Sequence, residues 1–190
     1  AHHRAIADVL DLVEREVAAT RTGTDGVRQV EVSGIIAAAF DHYDSRAGDP
    51  QLHTHVVISN KVRTAGDGRW RALDSRPIHA ATVALSEHYN AVLADHLTTT
   101  LGVGWELRDR GHDRTPAMEI VGVPEELLAA FSSRTSAIEV EKDRLVDDYM
   151  AAHGRRPSAR VMIRLRQAAT LATRPDKLLA SLADLTEGWR

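Results

Sequence analysis

Three histidines fall within fourteen positions in the stretch Phe40-Asp41-His42-Tyr43-Asp44-Ser45-Arg46-Ala47-Gly48-Asp49-Pro50-Gln51-Leu52-His53-Thr54-His55. His53 and His55 alternate at the head of an apolar run with the composition of a strand. Strand residues two apart share a face, with Cα atoms roughly 6–7 Å apart, so the two imidazoles can lean onto one ion. Upstream, Gly34 to Phe40 reads as another strand that runs into His42. Antiparallel pairing across the Asp44–Gln51 connection would lay His42 beside the other two. Three imidazoles with no fourth protein ligand leave coordination positions open, as a catalytic metal site does and a structural one does not. Ligating imidazoles usually donate their second N–H to a carboxylate or carbonyl, and Asp41, Asp44 and Asp49 are the candidates close in sequence. The competing reading is chance pairing, since the chain has 10 His in 190 residues. The third histidine, brought back across a turn at Asp49-Pro50, favours the metal.

The elements that must hold this cluster are legible from their periodicity. Ile6, Val9, Leu10, Val13 and Val17 recur at helical spacing over residues 1–19. Thr22 to Gly26 is a turn cluster, and Val27 to Ser33 alternates as a half-buried strand does. Ile35 to Phe40, small and apolar throughout, suits a central strand covered on both faces. Leu52 to Val62 continues the histidine strand, with Lys61 near its end. Ala65-Gly66-Asp67-Gly68 signals a hairpin turn into Arg69 to Leu73. There Trp70 stands between Arg69 and Arg71, a pattern that stacks a base between phosphate contacts or anchors a sheet edge. A helix spans His79 to Leu101 and ends at Gly102. A strand pair, Trp105–Asp109 with Met118–Val121, is joined across Gly111 to Asp113. Helices follow from Pro124 to about His153, from Pro157-Ser158 onward, and from Leu178 to Leu185.

Composition is that of a water-facing domain: 43% hydrophobic, 27% charged, no cysteine and a net charge of −3. Disulfides and thiolate metal sites are excluded, no apolar run reaches the roughly 20 residues of a membrane span, and a cytoplasmic location is expected. The first residue is Ala1, not Met, and the opening residues read as a helix already under way, as in a piece of a longer polypeptide. The net charge hides an asymmetry: residues 119–148 are acidic, and residues 151–177 gather Arg155, Arg156, Arg160, Arg164, Arg166, Arg174 and Lys177 against Asp176. Such a segment either contacts phosphates or pairs with the acidic one before it.

The run Asp49-Pro50-Gln51-Leu52-His53-Thr54-His55, preceded by Phe40-Asp41-His42 and Ser45-Arg46, resembles the three-histidine motif of conjugative relaxases of the TrwC/TraI (MobF) type, members of the HUH endonuclease superfamily. Further stretches match in order: Asp67 to Arg71, Ile120 to Glu125, Phe131 to Arg134 and Thr170 to Lys177. The resemblance implies an α+β fold, an antiparallel sheet with packed helices and a helical C-terminal extension, truncated at its N-terminus. Residues 1–123 would form the sheet-containing part with the metal site, and residues 124–190 a helical part that covers single-stranded DNA. It implies nicking and rejoining of one strand at a plasmid transfer origin through a phosphotyrosine. His42, His53 and His55 would hold a divalent ion, magnesium or manganese in function with zinc or nickel also possible, that polarises the scissile phosphate. The DNA contacts would be Arg46, Lys61, Arg69, Trp70, Arg71, Arg155, Arg156, Arg160, Arg164 and Arg166. Partners would be the DNA strand and, through the parent chain, other conjugation proteins in a bacterial cytoplasm.

The family's nucleophilic tyrosines precede the stretch that this chain matches. Of Tyr43, Tyr89 and Tyr149 none fits the role; Tyr89 lies on a helix, as in rolling-circle relatives, but Val92 stands where they carry a lysine. The expectation is therefore a metal- and DNA-binding part of a relaxase that does not nick alone. Two rivals remain. A cupin-like protein or small metal hydrolase would need a ligating Glu soon after His-x-His, and the next is Glu87. A non-enzymatic DNA-binding or interaction module would bind no metal at the histidines.

Overall fold

The computed structural model is described for residues 1–110, 116–176 and 180–190. It is an α+β chain that groups into two compact units, Ala1–Ala39 with Val56–Val121 and Phe40–His55 with Gly122–Arg190. Each is built differently.

In the first unit α1 (His2–Leu12) turns its stripe inward, with Ala5 fully buried, and widens into a π turn over Val13–Val17 that buries Val13. Then come β1 (Ala19–Thr22) and β2 (Arg28–Glu31), an antiparallel pair across a 3₁₀ turn. In that turn Asp25 takes a left-handed conformation (φ 58°), which Asn and Asp tolerate best after glycine. The histidine hairpin, β3 (Ala37–Asp44) with β4 (Pro50–Ile58), comes next; its base belongs to this unit and its tip to the other. Beyond it β5 (Lys61–Arg63) and β6 (Trp70–Ala72) pair antiparallel and join the first ladder through bridges at Thr20–Leu73 and Val32–Thr64. Val62, Thr20 and Thr64 are buried where the two ladders meet.

The long helix α2 (Ser75–Leu101) packs on α1 and turns Leu85, His88, Tyr89, Val92, Leu93, His96 and Leu97 to its half-buried side. His88 and His96 thus belong to the packing stripe. Asp74 starts this helix: its carboxylate accepts the Arg76 N–H at the first turn and bonds both the Arg76 and Arg21 guanidiniums. Its own N–H reaches the Ala19 carbonyl at 2.8 Å, so one nearly buried residue joins β1 to α2. β7 (Trp105–Arg108) and β8 (Ala117–Ile120) close the unit as an antiparallel pair, and the expected turn at 111–113 lies outside the described residues.

The second unit holds the hairpin tip and four helices: α3 (Glu125–Ala130), α4 (Ser133–His153), α5 (Ala159–Ala172) and α6 (Leu182–Gly188). Gly154, at φ 64°, ends α4 in the left-handed position that glycine adopts at no steric cost. Ser158 caps α5, and a capping box between Ser181 and Asp184 starts α6. The last helix therefore begins at Leu182, later than the sequence pattern suggests; residues 178 and 179 lie outside the described residues. α4 and α5 pack side by side, with Ala169 buried.

The long helix also begins earlier than expected, at Ser75 rather than His79, and two strands differ from expectation. The strand leading to His42 starts at Ala37 and pairs with β4 alone among the described residues, so it is not a central strand, and Ala37 to Phe40 are exposed. The strand expected from Leu52 to Val62 is two strands, because the chain bends at Ser59-Asn60 before β5 leaves for a different partner. Among the described residues no helix is long and apolar enough to cross a membrane.

Hydrogen bonds from Arg21 and Arg76 pull the Asp74 carboxyl down to about 2. A depressed carboxyl contributes stability above its unfolded value, near 4, and loses it as pH falls through the folded one. Asp74→Asn should therefore narrow the stability difference between pH 6 and about pH 2 relative to the parent chain. Urea unfolding across that range measures it.

Candidate metal and nucleic-acid site

A connection as short as Ser45 to Asp49 can only join antiparallel strands. The turn is fastened by the Ser45 N–H to the Asp49 carbonyl (2.8 Å) and the Gly48 N–H to the Ser45 carbonyl (3.0 Å). Alternation then sorts the side chains. His42 and Asp44 on β3 share a face with Gln51, His53 and His55 on β4, and all five line one hollow of about 340 Å³. Asp41 and Thr54 fall on the opposite face, where the Thr54 hydroxyl donates to the Asp41 carboxylate at 2.6 Å.

The three imidazoles converge. Ring centroids are 5.3 Å apart for His42–His53, 4.6 Å for His42–His55 and 5.1 Å for His53–His55. One nitrogen from each lies within 4.8 Å of the others. His53 Nδ1 sits 2.9 Å from the Gln51 carbonyl, which makes Nδ1 the protonated nitrogen and leaves the Nε2 lone pair for a cation. Two rings are half-buried and His55 is exposed, so the donors are ordered yet reachable. An all-nitrogen, three-ligand set with solvent on one side fits a divalent ion that keeps coordination positions for a substrate oxygen.

The expected carboxylate neighbours have separate fates. Asp44 is on the histidine face and lines the hollow. Asp41 is on the other face. Asp49 points into the helices: it accepts the Ser45 hydroxyl at 3.1 Å, the Ser133 hydroxyl, and the Arg134 N–H at 3.0 Å, at the start of α4. Burial by itself pushes the Asp49 carboxyl up, but these hydrogen bonds outweigh it and hold the group below the usual carboxylate value. The partner found for an imidazole is a backbone carbonyl, that of Gln51.

The sequence-derived DNA contacts spread over both units. In the second unit Arg46 lines the histidine hollow, Arg155 and Arg156 are exposed in the connection between α4 and α5, and Arg160 and Arg164 are exposed on α5. Arg166 instead pairs with Glu139 on α4 at 2.6 Å. In the first unit Lys61 and Arg69 are exposed and Trp70 is 60% exposed. Arg71 closes its own hairpin, bonding both Asp67 oxygens at 2.7 and 2.6 Å. Arg174 also lines the hollow, and pattern alone missed it. The available signal was Arg174-Pro175: a residue before proline is driven out of helical conformation, so Arg174 had to leave α5.

The TrwC relaxase family profile matches residues 1–190. The chain belongs to the TrwC relaxase family. It is 36% identical over 145 residues to the multifunctional conjugation protein TraI of Escherichia coli, covering 73% of this chain and 8% of TraI. Among solved structures it is similar to the conjugative relaxase TrwC in complex with oriT DNA in a copper-bound form (TM-score 0.74, 32% identity, 99% of this chain, 59% of that one). It is also similar to TrwC bound to a 27-mer DNA comprising the recognition hairpin and the cleavage site (TM-score 0.73, 32% identity, 99% of this chain, 61% of that one). The chain thus spans a small fraction of the curated relatives and about three fifths of the TrwC relaxase chains it resembles.

Calorimetric titration with Mn²⁺ or Ni²⁺ should show one site per chain. His42→Ala, His53→Ala or His55→Ala should each weaken it by at least about tenfold, since even outer partners of ligating histidines are worth 10–100-fold. Retained affinity in any two of these variants would place the ion elsewhere.

Proposed function

We propose that this chain is the cation- and strand-holding portion of a relaxase. It takes a divalent ion on His42, His53 and His55 and binds one strand of DNA, with a phosphodiester over the histidine hollow. The observation that carries this reading is the convergence of three imidazoles on one face of a hairpin, in a hollow that Arg46 also lines. A bound ion would withdraw charge from the non-bridging oxygens of that phosphodiester, a Lewis-acid role and not the generation of a hydroxide. The histidines orient it; the Gln51 carbonyl fixes the His53 ring; Arg46 adds a positive charge at the rim.

The exposed arginines Arg155, Arg156, Arg160 and Arg164 suit the rest of the strand, through backbone phosphates. The helical part, residues 124–190, would then cover the DNA. Trp70 supplies an exposed aromatic face for a base, flanked by Arg69, with Lys61 on the neighbouring strand.

None of the three tyrosines is arranged as a nucleophile at the hollow. Tyr43 follows His42 and so faces the other side of β3. Tyr149 stacks on His153 (centroids 4.0 Å apart, 13° between planes). The Tyr89 hydroxyl is 2.7 Å from His2 Nδ1, and burial raises its pKa, which disfavours the phenolate. The chain alone is therefore proposed to bind without cutting.

A labelled single-stranded oligonucleotide of mixed sequence tests the binding. Its affinity should fall linearly with salt on logarithmic axes. Replacing Arg155, Arg156, Arg160 and Arg164 together by Ala should flatten that slope by about 2.8, at ~0.7 per phosphate contact on a single strand. An association absent or insensitive to salt would remove the DNA reading and leave a metal-binding module.

A further inference from the structure

We propose that Arg174 binds a backbone phosphate of the strand in the histidine hollow, and that Arg134 is the residue that positions it there. The proposal rests on the hollow being a DNA site and names a contact within it.

Arg174 lines the same hollow as the three histidines, and its side chain makes no hydrogen bond or ion pair among the described residues. Among the described residues the other charged groups on that lining are Asp44 and Arg46. One carboxylate against two guanidiniums leaves this described lining net positive even before a divalent cation is counted. An unpartnered guanidinium next to a cation site is repelled unless an anion lies between them. A guanidinium stays charged at all working pH, and its planar fork of N–H donors matches a phosphate's oxygens. A phosphodiester held near the cation brings neighbouring phosphates along its own strand, and the hollow, at about 340 Å³, has room for such a group.

Placement is what makes this specific. α5 ends at Ala172, and Pro175 keeps the residue before it out of the helix. The Arg134 guanidinium donates to the Thr170 carbonyl (2.7 Å), the Thr173 carbonyl (2.7 Å) and the Thr173 hydroxyl (2.9 Å). It thereby satisfies carbonyls that the helix end leaves open, and it clamps the residue before Arg174. The same Arg134 donates its backbone N–H to Asp49, in the turn of the histidine hairpin. Arg134 therefore links the metal hairpin to the segment that carries Arg174, and fixes the spacing between the imidazoles and the guanidinium.

The test uses the 190-residue chain, the mixed-sequence oligonucleotide and Mn²⁺. Arg174→Ala should weaken DNA binding by about tenfold, as loss of a charge-assisted hydrogen bond does, and lower the salt slope by ~0.7, with Mn²⁺ affinity within twofold of the parent. Arg174→Lys should restore the slope but only part of the affinity. Arg134→Lys, which keeps the charge but cannot reach three acceptors, should reproduce the slope loss of Arg174→Ala. A variant stabilising no carbonyls would unfold earlier, but a merely structural role would not change the number of phosphates neutralised. Arg144→Gln, whose parent side chain pairs with Glu141 and Asp148, controls for lost charge and should leave the slope alone. Unchanged slope and affinity in Arg174→Ala, or an equal change in Arg144→Gln, overturns the assignment while the DNA reading stands. A parent chain that binds no oligonucleotide overturns both.

Discussion

The carboxylate of Asp49 sits where the hairpin turn meets the first residues of α4, and the geometry of the site depends on what it does there. A two-stranded hairpin is marginal by itself in water. This one is held at its tip by a side chain that closes its own turn through Ser45 and accepts the Ser133 hydroxyl and the Arg134 N–H. An anion at a helix start also meets the positive end of the helix dipole. Trp189 adds a second fastening, donating its indole N–H to the Gly48 carbonyl at 2.8 Å. The imidazoles thus stand on a hairpin whose turn is tied down from two sides. A metal site needs that, because ligands free to wander lose affinity to the cost of ordering them.

Much of the site was legible in the sequence, for a local reason. A strand places residues on faces by parity, so His53 and His55 had to share one, and a short turn at Asp49-Pro50 had to return His42 to it. The same parity separates two of the three aspartates: Asp44 keeps the histidines' face and Asp41 loses it. Proximity in sequence had grouped them. Asp49 could not be placed by parity at all, since its partners come from 84 and 85 residues away. Arg174 was hidden for the same reason. What brings it to the hollow is a helix end, a proline and a clamp from another helix, and no periodic pattern records that combination.

The fold shows the same division. Helices α1, α2, α4 and α5 follow from their stripes and caps. The expectation of a covered central strand failed at Ala37 to Ala39, because small apolar side chains fit either a crowded interior or an exposed edge, and composition does not distinguish them. Exposure is general here: Val83, Leu107, Val140 and Leu171 are all more than 65% exposed. Charge was equally ambiguous, and both readings of the basic segment hold in part. Arg166 pairs with Glu139, which Lys142 also contacts, so one arginine is committed to holding α5 on α4. Arg155, Arg156, Arg160 and Arg164 remain exposed.

That division of labour among arginines suits a hollow that combines histidine with arginine among the described residues. Arg134 and Arg71 are structural through their forks: Arg134 spans three acceptors and Arg71 both oxygens of Asp67, which an ammonium cannot do as rigidly, while Arg166 is committed through its bond to Glu139. Among the described residues Arg46 and Arg174 are the arginines on the histidine hollow, and neither is so engaged there. A site for a phosphodiester needs fixed positive charge that does not compete for the imidazole lone pairs. Guanidinium supplies it, since it has no lone pair to offer a metal and no proton to lose near one. On the proposed reading, a cation and the arginines would act on one anion without disturbing each other, with the hairpin and the helix end keeping their spacing. Asp49 and Arg134 maintain that spacing, one through its carboxylate and the other through both its backbone and its side chain.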